Sequence, residues 1–599
     1  MKKKVVTLLL ATAMVTTSLY GCGMKSTDSV ANTSAQASAT TEAVTESAAE
    51  PTDTEPYTAT EEYGPAYEYS DAEACTETEC YPEVESYSAT QSVNGAASAA
   101  KQKAYRGMAS ADTEEACCEF VDDGYWDYNY QPNPGETYAQ VEENQFELVS
   151  ESPLSTFGAD VDTASYSNFR RMVSDGYGLY DIPAGSIRAE EMINYFNYDY
   201  KAPKKGEPFG VTSTICDCPW NEDTKLLTLG IKAKEIKNTE KIASNIVFLV
   251  DVSGSMSDYD KLPLLQMGFE MLADDLDKND RVSIVTYASD SEVVLAGARG
   301  NETAKIKKAM NSLYAGGSTN GESGIKKAYK LAEKYFIEGG NNRIIMATDG
   351  DLNVGVTSED ELEKLITRKK ESGVYLSVLG FGTGNYNESK LEVLADKGNG
   401  NYSYIDSLKE AKKVLVDEFD STLFTVAKDV KFQIEFNPEY VSSYRQIGYE
   451  NRAMAAKDFN DDSKDGGEIG SGHTITVMYE IELNDRDNAE DDGVKLRYQK
   501  NNLTNLAVES GEWMMVSVRY KNPDEDESKL LTFPISKECY TKKPSCDTLF
   551  AASVAELSMI LNHSGEDKYT SLDAVADRLA DLDLDDEYKQ EFADLVNML

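Results

Sequence analysis

Histidine is nearly absent from this chain: His473 and His563 are the only two in 599 residues. That scarcity weakens any proposal of a zinc site or a Ser-His-Asp hydrolase, both of which depend on imidazole. Basic charge is scarce too. Against 105 Asp and Glu stand 58 Lys and Arg, a formal net charge of −47 with no basic stripe to offset it. A nucleic acid would be repelled by such a surface, whereas cations and basic surfaces are favoured. Long apolar runs are also missing, because the stretch from Val5 to Val15 falls short of the roughly 20 residues a bilayer span needs. No Walker loop and no nucleophile with a partnering base can be picked out, so the sequence points away from an enzyme.

What is present begins with an address. Met1-Lys2-Lys3-Lys4, the short apolar run and Leu19-Tyr20-Gly21-Cys22 form a charged, an apolar and a small-residue region in the order of an export signal. A retained membrane anchor is the alternative, disfavoured by length. The tetrapeptide ending at Cys22 resembles a bacterial lipoprotein box. That resemblance implies cleavage before Cys22 and a lipid on its new N-terminus, hence an extracytoplasmic, membrane-anchored protein, since two acyl chains suffice for stable anchoring. Setting Cys22 aside from the nine cysteines leaves eight: Cys75, Cys80, Cys117, Cys118, Cys216, Cys218, Cys539 and Cys546. An even number in an exported protein is compatible with disulfides, and equally with free thiols.

Residues 23–145 are rich in Ser, Thr, Ala, Glu and Tyr and poor in branched aliphatics. Such a composition cannot bury enough apolar surface to offset the entropy of ordering. It is expected to be an acidic, extended tether with a random-coil span on the order of 60 Å. A flanking segment follows over 146–240, with helices near Tyr166–Val173 and Ala189–Phe196 and strands at Pro208–Ile215 and Lys225–Ile231.

Between 241 and 425 strands and helices alternate. Ile246-Val247-Phe248-Leu249-Val250 and Ile344–Ala347 are continuous apolar runs, the signature of strands buried on both faces. Alternation of this kind predicts an α/β fold, a doubly wound, mostly parallel sheet with helices on both sides. From 426 to 599 the pattern changes to strands at Val430–Phe436, Ile475–Leu483, Val494–Tyr498 and Trp513–Tyr520, then helices. That predicts a flanking antiparallel β-rich domain with C-terminal helices.

The chemistry lies where apolar strands end. Asp251-Val252-Ser253-Gly254-Ser255 follows the first buried strand, Thr319 sits in a glycine-rich loop, and Asp349 follows a later buried strand. Ligands of open α/β sheets gather at the carboxyl ends of strands, where strand order reverses. The five side chains offer only carboxylate and hydroxyl oxygens, a donor set for a hard divalent cation: Mg²⁺ first, with Ca²⁺ or Mn²⁺ as alternatives. Helix and turn capping is the plainer role for the same residue types.

These segments resemble the metal-ion-dependent adhesion site (MIDAS) of von Willebrand factor A (VWA) domains, whose D-x-S-x-S is met by Asp251, Ser253 and Ser255, with its loop threonine at Thr319 and later aspartate at Asp349. Glu190–Tyr200 and Ile447–Arg452 resemble the flanks of bacterial proteins built around such a domain. The resemblance implies an extracytoplasmic binding protein in which the cation engages a carboxylate on a protein or surface ligand, with no catalytic residues. The alternative is an envelope scaffold in which the cation only stabilises the VWA fold. A metal-activated hydrolase is a third and weaker reading.

Two further acidic patterns have simpler explanations. Asp160-Val161-Asp162-Thr163-Ala164 looks like an aspartyl phosphotransferase motif, but Ala164 is out of pattern and no buried strand is expected before it. Asp461–Gly466 looks like the start of a calcium loop, but Gly472 stands where the closing acid belongs, leaving a solvated turn.

Overall fold

A computed structural model describes residues 136–138, 142–237, 242–350, 359–384, 386–484, 503–562 and 569–599. Cys22, nearly all of the expected tether and the strand expected over Val494–Tyr498 lie outside the described residues.

The flank carries four strands, β1 (Glu147–Leu148), β2 (Leu154–Gly158), β3 (Phe209–Asp217) and β4 (Lys225–Ala233), and two helices, α1 (Ala164–Ser174) and α2 (Ala189–Asn194). The central region follows with β5 (Ser244–Asp251), α3 (Leu262–Asp275), β6 (Arg281–Tyr287), β7 (Ser291–Arg299), α4 (Thr303–Met310), α5 (Gly321–Lys334) and β8 (Asn341–Thr348). It closes with α6 (Glu359–Lys370), β9 (Tyr375–Phe381), α7 (Glu388–Lys397), β10 (Tyr402–Ile405), α8 (Leu408–Lys412) and α9 (Phe419–Leu423). Its sheet runs β10-β9-β8-β5-β6-β7, parallel throughout except for the antiparallel edge strand β7. This is the doubly wound α/β sheet expected from the alternation.

Period-two geometry explains its two-sided burial. Ile246, Phe248 and Val250 of β5 pack on one face with α3, α4 and α8, while Val247 and Leu249 pack on the other with α5, α6 and α7. Every residue of β5 is buried. The chain passes from β5 to β6 on one side and returns to β8 on the other, so β5 is the strand at which the order reverses.

After α9 come β11 (Thr425–Phe436), β12 (Val441–Ile447), β13 (Gly467–Gly470), β14 (Thr474–Leu483), α10 (Asn505–Glu509), β15 (Glu512–Lys521), β16 (Lys529–Ser536), α11 (Cys546–Leu561), α12 (Leu572–Ala580) and α13 (Glu587–Val596). The flank does not stand by itself. Strands β3 and β4 extend the sheet β1-β12-β14-β4-β3, and β2 pairs with β11 beside the sheet β13-β11-β15-β16. Flank and C-terminal strands thus share one sandwich, whose core unites Leu227, Leu229 and Ile231 with Tyr479, Phe432, Ile434 and Val516. The central domain is an insertion between β4 and β11.

The helices of the flank and tail cover the outer face of that sandwich, with Tyr166, Phe169 and Phe196 packed on Phe550 and Phe592. Helix α1 is expected to be amphipathic, but its polar side is buried as well. Arg170 forks onto Asp406 at 2.5 Å, Glu410 at 2.8 Å and Glu591 at 3.0 Å, and Arg171 reaches Glu136 at 3.0 Å. The helix is a wedge between the central sheet and the tail, and its charges are paired rather than solvated.

The described cysteines, Cys216, Cys218, Cys539 and Cys546, are all free. Among the described residues the disulfide option is therefore not realised, and burial pushes the Cys216 and Cys218 thiols up to about 11 and about 12. No described helix is long and apolar enough to cross a membrane.

Candidate metal centre

Asp251 ends β5 and is fully buried, and Ser253, two residues further on, is nearly so. A tight loop folds back here. The Asp251 Oδ1 accepts the Ser253 backbone N–H at 2.8 Å, and the chain then enters a short 3₁₀ turn over Gly254–Ser257. Met256, fully buried on the α3 face, anchors that turn. The result places the Ser253 and Ser255 hydroxyls 3.0 Å from each other.

Two backbone hydrogen bonds lock the glycine-rich loop onto this turn. The Gly254 N–H donates to the Gly317 carbonyl at 3.0 Å, and the Gly316 N–H donates to the Val252 carbonyl at 2.7 Å. Gly317 has φ +89°, a conformation that a side chain strains, and a Cβ there would stand 2.7 Å from Ser289 Oγ. The loop continues to Thr319, which is half-buried. Asn320 then caps α5 by accepting from the Ser323 N–H.

Asp349 follows β8, the neighbour of β5, and is 1% exposed. Thr348 links the two strand ends by donating its hydroxyl to Asp251 Oδ2 at 3.3 Å. Burial pushes the Asp251 carboxyl up to about 6, and the negative charge of Asp349 adds to that rise. Burial followed by the nearby Asp251 charge likewise raises the phenol of Tyr287 at the end of β6.

Asp251, Ser253 and Ser255 thus follow β5, Asp349 follows the adjacent β8, and Thr319 comes from the loop between α4 and α5 that is bonded to the turn after β5. The set is rich in hydroxyls and contains two carboxylates; no group of three or more His, Cys, Asp or Glu able to hold a metal occurs among the described residues. A hard dication suits these oxygens, since it would neutralise two aspartates held in a dry site. One participant is not apparent from the motif. Lys261, just ahead of α3 and 4% exposed, places its ammonium 3.1 Å from Asp349 Oδ2.

A second polar cluster, also not anticipated, lies where flank, central domain and C-terminal region meet. Arg452 reaches Asp160 at 2.7 Å, Asp396 at 2.8 Å, Asp162 at 3.4 Å and Glu392 at 3.9 Å. Arg188 reaches Glu392 at 2.7 Å, Glu191 at 3.4 Å and Glu388 at 3.9 Å. Burial pushes Asp162, Glu190 and Glu388 well above the carboxylate range and Glu392 up to about 7. The resemblance of Glu190–Tyr200 and Ile447–Arg452 to family flanks was the available signal, for both segments converge here.

The phosphotransferase-like Asp160 and Asp162 are thus bound to an arginine. A strand, β2, does precede them, contrary to expectation, and it pairs with β11 in the sandwich. Asp461 accepts from the backbone and hydroxyl of Ser463, at 2.9 and 2.6 Å, as a turn does.

Comparison with known proteins agrees with this architecture. Residues 245–417 match the family model of the von Willebrand factor type A domain, residues 132–228 match that of von Willebrand factor, and residues 421–599 match that of the C-terminal region of YfbK. The chain is a von Willebrand factor type A domain protein, a class whose domains commonly bind a divalent cation and serve in binding or scaffolding.

More narrowly, it belongs to the family of the uncharacterized protein YfbK of Escherichia coli (strain K12). It is 44% identical to that protein over 440 residues, which cover 72% of this chain and 75% of the relative. The inter-alpha-trypsin inhibitor heavy chain H3 of Mesocricetus auratus is 27% identical over 170 residues, 26% of this chain and 19% of its own length. Among solved structures, a von Willebrand factor type A protein from Catenulispora acidiphila is similar at 15% identity, covering 64% of this chain and 88% of its own, with a TM-score of 0.36. BatB from Bacteroides thetaiotaomicron is similar at 21% identity, covering 30% and 97%, with a TM-score of 0.26.

Proposed function

We propose that this protein is an extracytoplasmic binding protein, lipid-anchored at Cys22, that holds Mg²⁺ at Asp251, Ser253, Ser255, Thr319 and Asp349 and through it engages a carboxylate on a protein or surface ligand. The observation that carries this reading is the buried Asp251 beside the paired Ser253 and Ser255 hydroxyls, with the Gly316–Gly317 loop locked over them. An octahedral Mg²⁺ seldom takes all its oxygens from protein, which leaves a position for a ligand carboxylate. Two exposed rings support a partner surface: Tyr259 is 86% and Tyr314 82% exposed, on the chain segments that lead from Ser255 and toward Thr319. Tyrosine is enriched at interfaces because it combines a large apolar body with a polar tip.

Titration of the full mature chain with Mg²⁺ by calorimetry tests the reading. One saturable site is expected, lost in an Asp251→Ala variant whose circular dichroism is unchanged. Absence of any site in the wild type would sink it.

The scaffold alternative draws on the ion pairs of Arg170, Arg188 and Arg452, which tie the central domain to both its flanks. In that case a folded Asp251→Ala protein keeps its envelope contacts, as read by crosslinking in cells.

A further inference from the structure

Lys261 is an unusual neighbour for a cation site. Its side chain is 5% exposed and that of Asp349 1%, and no other carboxylate pairs with it among the described residues. A buried ammonium is costly unless it is paired, so the position calls for a reason.

The surrounding structure is built to hold it. The Lys261 N–H donates to the Asp258 carbonyl at 3.1 Å, and the Lys261 carbonyl accepts from Leu265 at 3.0 Å, which fixes the backbone at the start of α3. The loop after β9 passes directly over the lysine stem. There Gly382 has φ +70°, and a Cβ on it would stand 2.1 Å from Cε and 2.5 Å from Cγ of Lys261. The Tyr404 hydroxyl fastens that loop by donating to the Gly382 carbonyl at 2.8 Å. A slot closed by a glycine and aimed at Asp349 thus positions the ammonium, and surface electrostatics plays little part.

We propose that Lys261 is a tethered counter-ion for Asp349, neutralising the aspartate when no metal is bound and competing with the metal for it. The inference rests on the cation reading above. A dication that uses Asp349 must share the carboxylate with a fixed positive charge, and like charges in a dry site repel more strongly than in water. Lys261 therefore keeps intrinsic metal affinity low and holds the strand ends together in the metal-free state. It acts as a positioning residue and is not a ligand.

Calorimetric Mg²⁺ titration of the full mature chain tests this with Lys261→Gln, which keeps a donor toward Asp349 without the charge, and Lys261→Met as a second variant. Thermal unfolding in EDTA is the parallel readout. We expect Mg²⁺ to bind the Gln variant at least about tenfold more tightly than the wild type. In EDTA both variants should unfold several degrees lower, with the loss recovered by Mg²⁺. Binding found only in the variants, and abolished by adding Asp251→Ala, would support the counter-ion role while sinking the reading that the native protein works through bound Mg²⁺. Equal or weaker Mg²⁺ binding by the folded variants overturns it while leaving the metal centre standing, provided Asp251→Ala still abolishes the wild-type site. No Mg²⁺ binding by any form overturns both.

Discussion

Arg452 offers the sharpest test of how the three parts of the chain are held together. Replacing it with Met keeps much of the stem but removes the charge that faces Asp160, Asp162, Glu392 and Asp396. Breaking a buried pair by deleting one partner costs about 3–5 kcal/mol. An independent bound comes from protonation, because a stranded carboxylate can accept a proton. At pH 7 that costs about 1.36 kcal/mol for each pH unit above an ordinary value near 4, hence about 4 kcal/mol.

The two figures agree, so a loss of about 4 kcal/mol is expected near neutral pH. Its pH dependence is fixed in sign. Burial holds Asp162, Glu392 and Asp396 above their unfolded values, so the folded protein binds more protons than the unfolded one and stability falls as pH rises. For Glu392 the window runs from about 4.5, its unfolded value, to about 7, worth about 3 kcal/mol. Without Arg452 the carboxyls rise further, so the variant's deficit should be large at pH 8 and should shrink toward pH 5. Urea unfolding of the full mature chain, followed by tryptophan fluorescence with Trp220 buried in the fold, measures this across pH 5 to 8. A deficit under about 1 kcal/mol at pH 7.5, or one that does not diminish on acidification, would refute the reasoning.

Other expectations are simpler. Gly317→Ala should destabilise the central domain by about 1–2 kcal/mol and weaken Mg²⁺ binding several-fold, because φ +89° and Ser289 Oγ leave no room for a methyl; unchanged calorimetry would count against the loop's role. Maleimide should label exposed Cys546 in the native protein while buried Cys216 and Cys218 react only on unfolding, as mass spectrometry of the labelled peptides would show. Glu480 accepts from Trp220 at 3.2 Å, Asn221 at 2.9 Å, Thr224 at 2.7 Å and Arg445 at 2.6 Å. Glu480→Ala should therefore cost about 3–5 kcal/mol and redden Trp220 emission; an unshifted spectrum with full stability would contradict that network.

Much of the central domain could be read from local pattern. A strand buried on both faces must be continuously apolar, as Ile246–Val250 and Ile344–Ala347 are, and the Asp-x-Ser-x-Ser segment at the end of such a strand needs no distant information to be noticed. The places of Thr319, just ahead of α5, and of Asp349, just after β8, follow from the same local pattern.

What escaped local pattern depends on pairing across hundreds of residues. Nothing in Lys225–Ala233 names Thr474–Leu483 as its neighbour, and the choice follows from which apolar faces can close a common core. For the same reason the flank read as a separate segment, although its strands complete the C-terminal sandwich. Arg452 and Glu392 look like ordinary surface charges until the fold buries them together, and Lys261 becomes notable only when Gly382 and Asp349 are brought to it from other strands. Sequence by itself determined the elements and the Asp, Ser and Thr residues placed at their ends, because periodicity and residue type are local. Tertiary structure alone decided which charges must share a dry environment, because burial depends on every element packed around them.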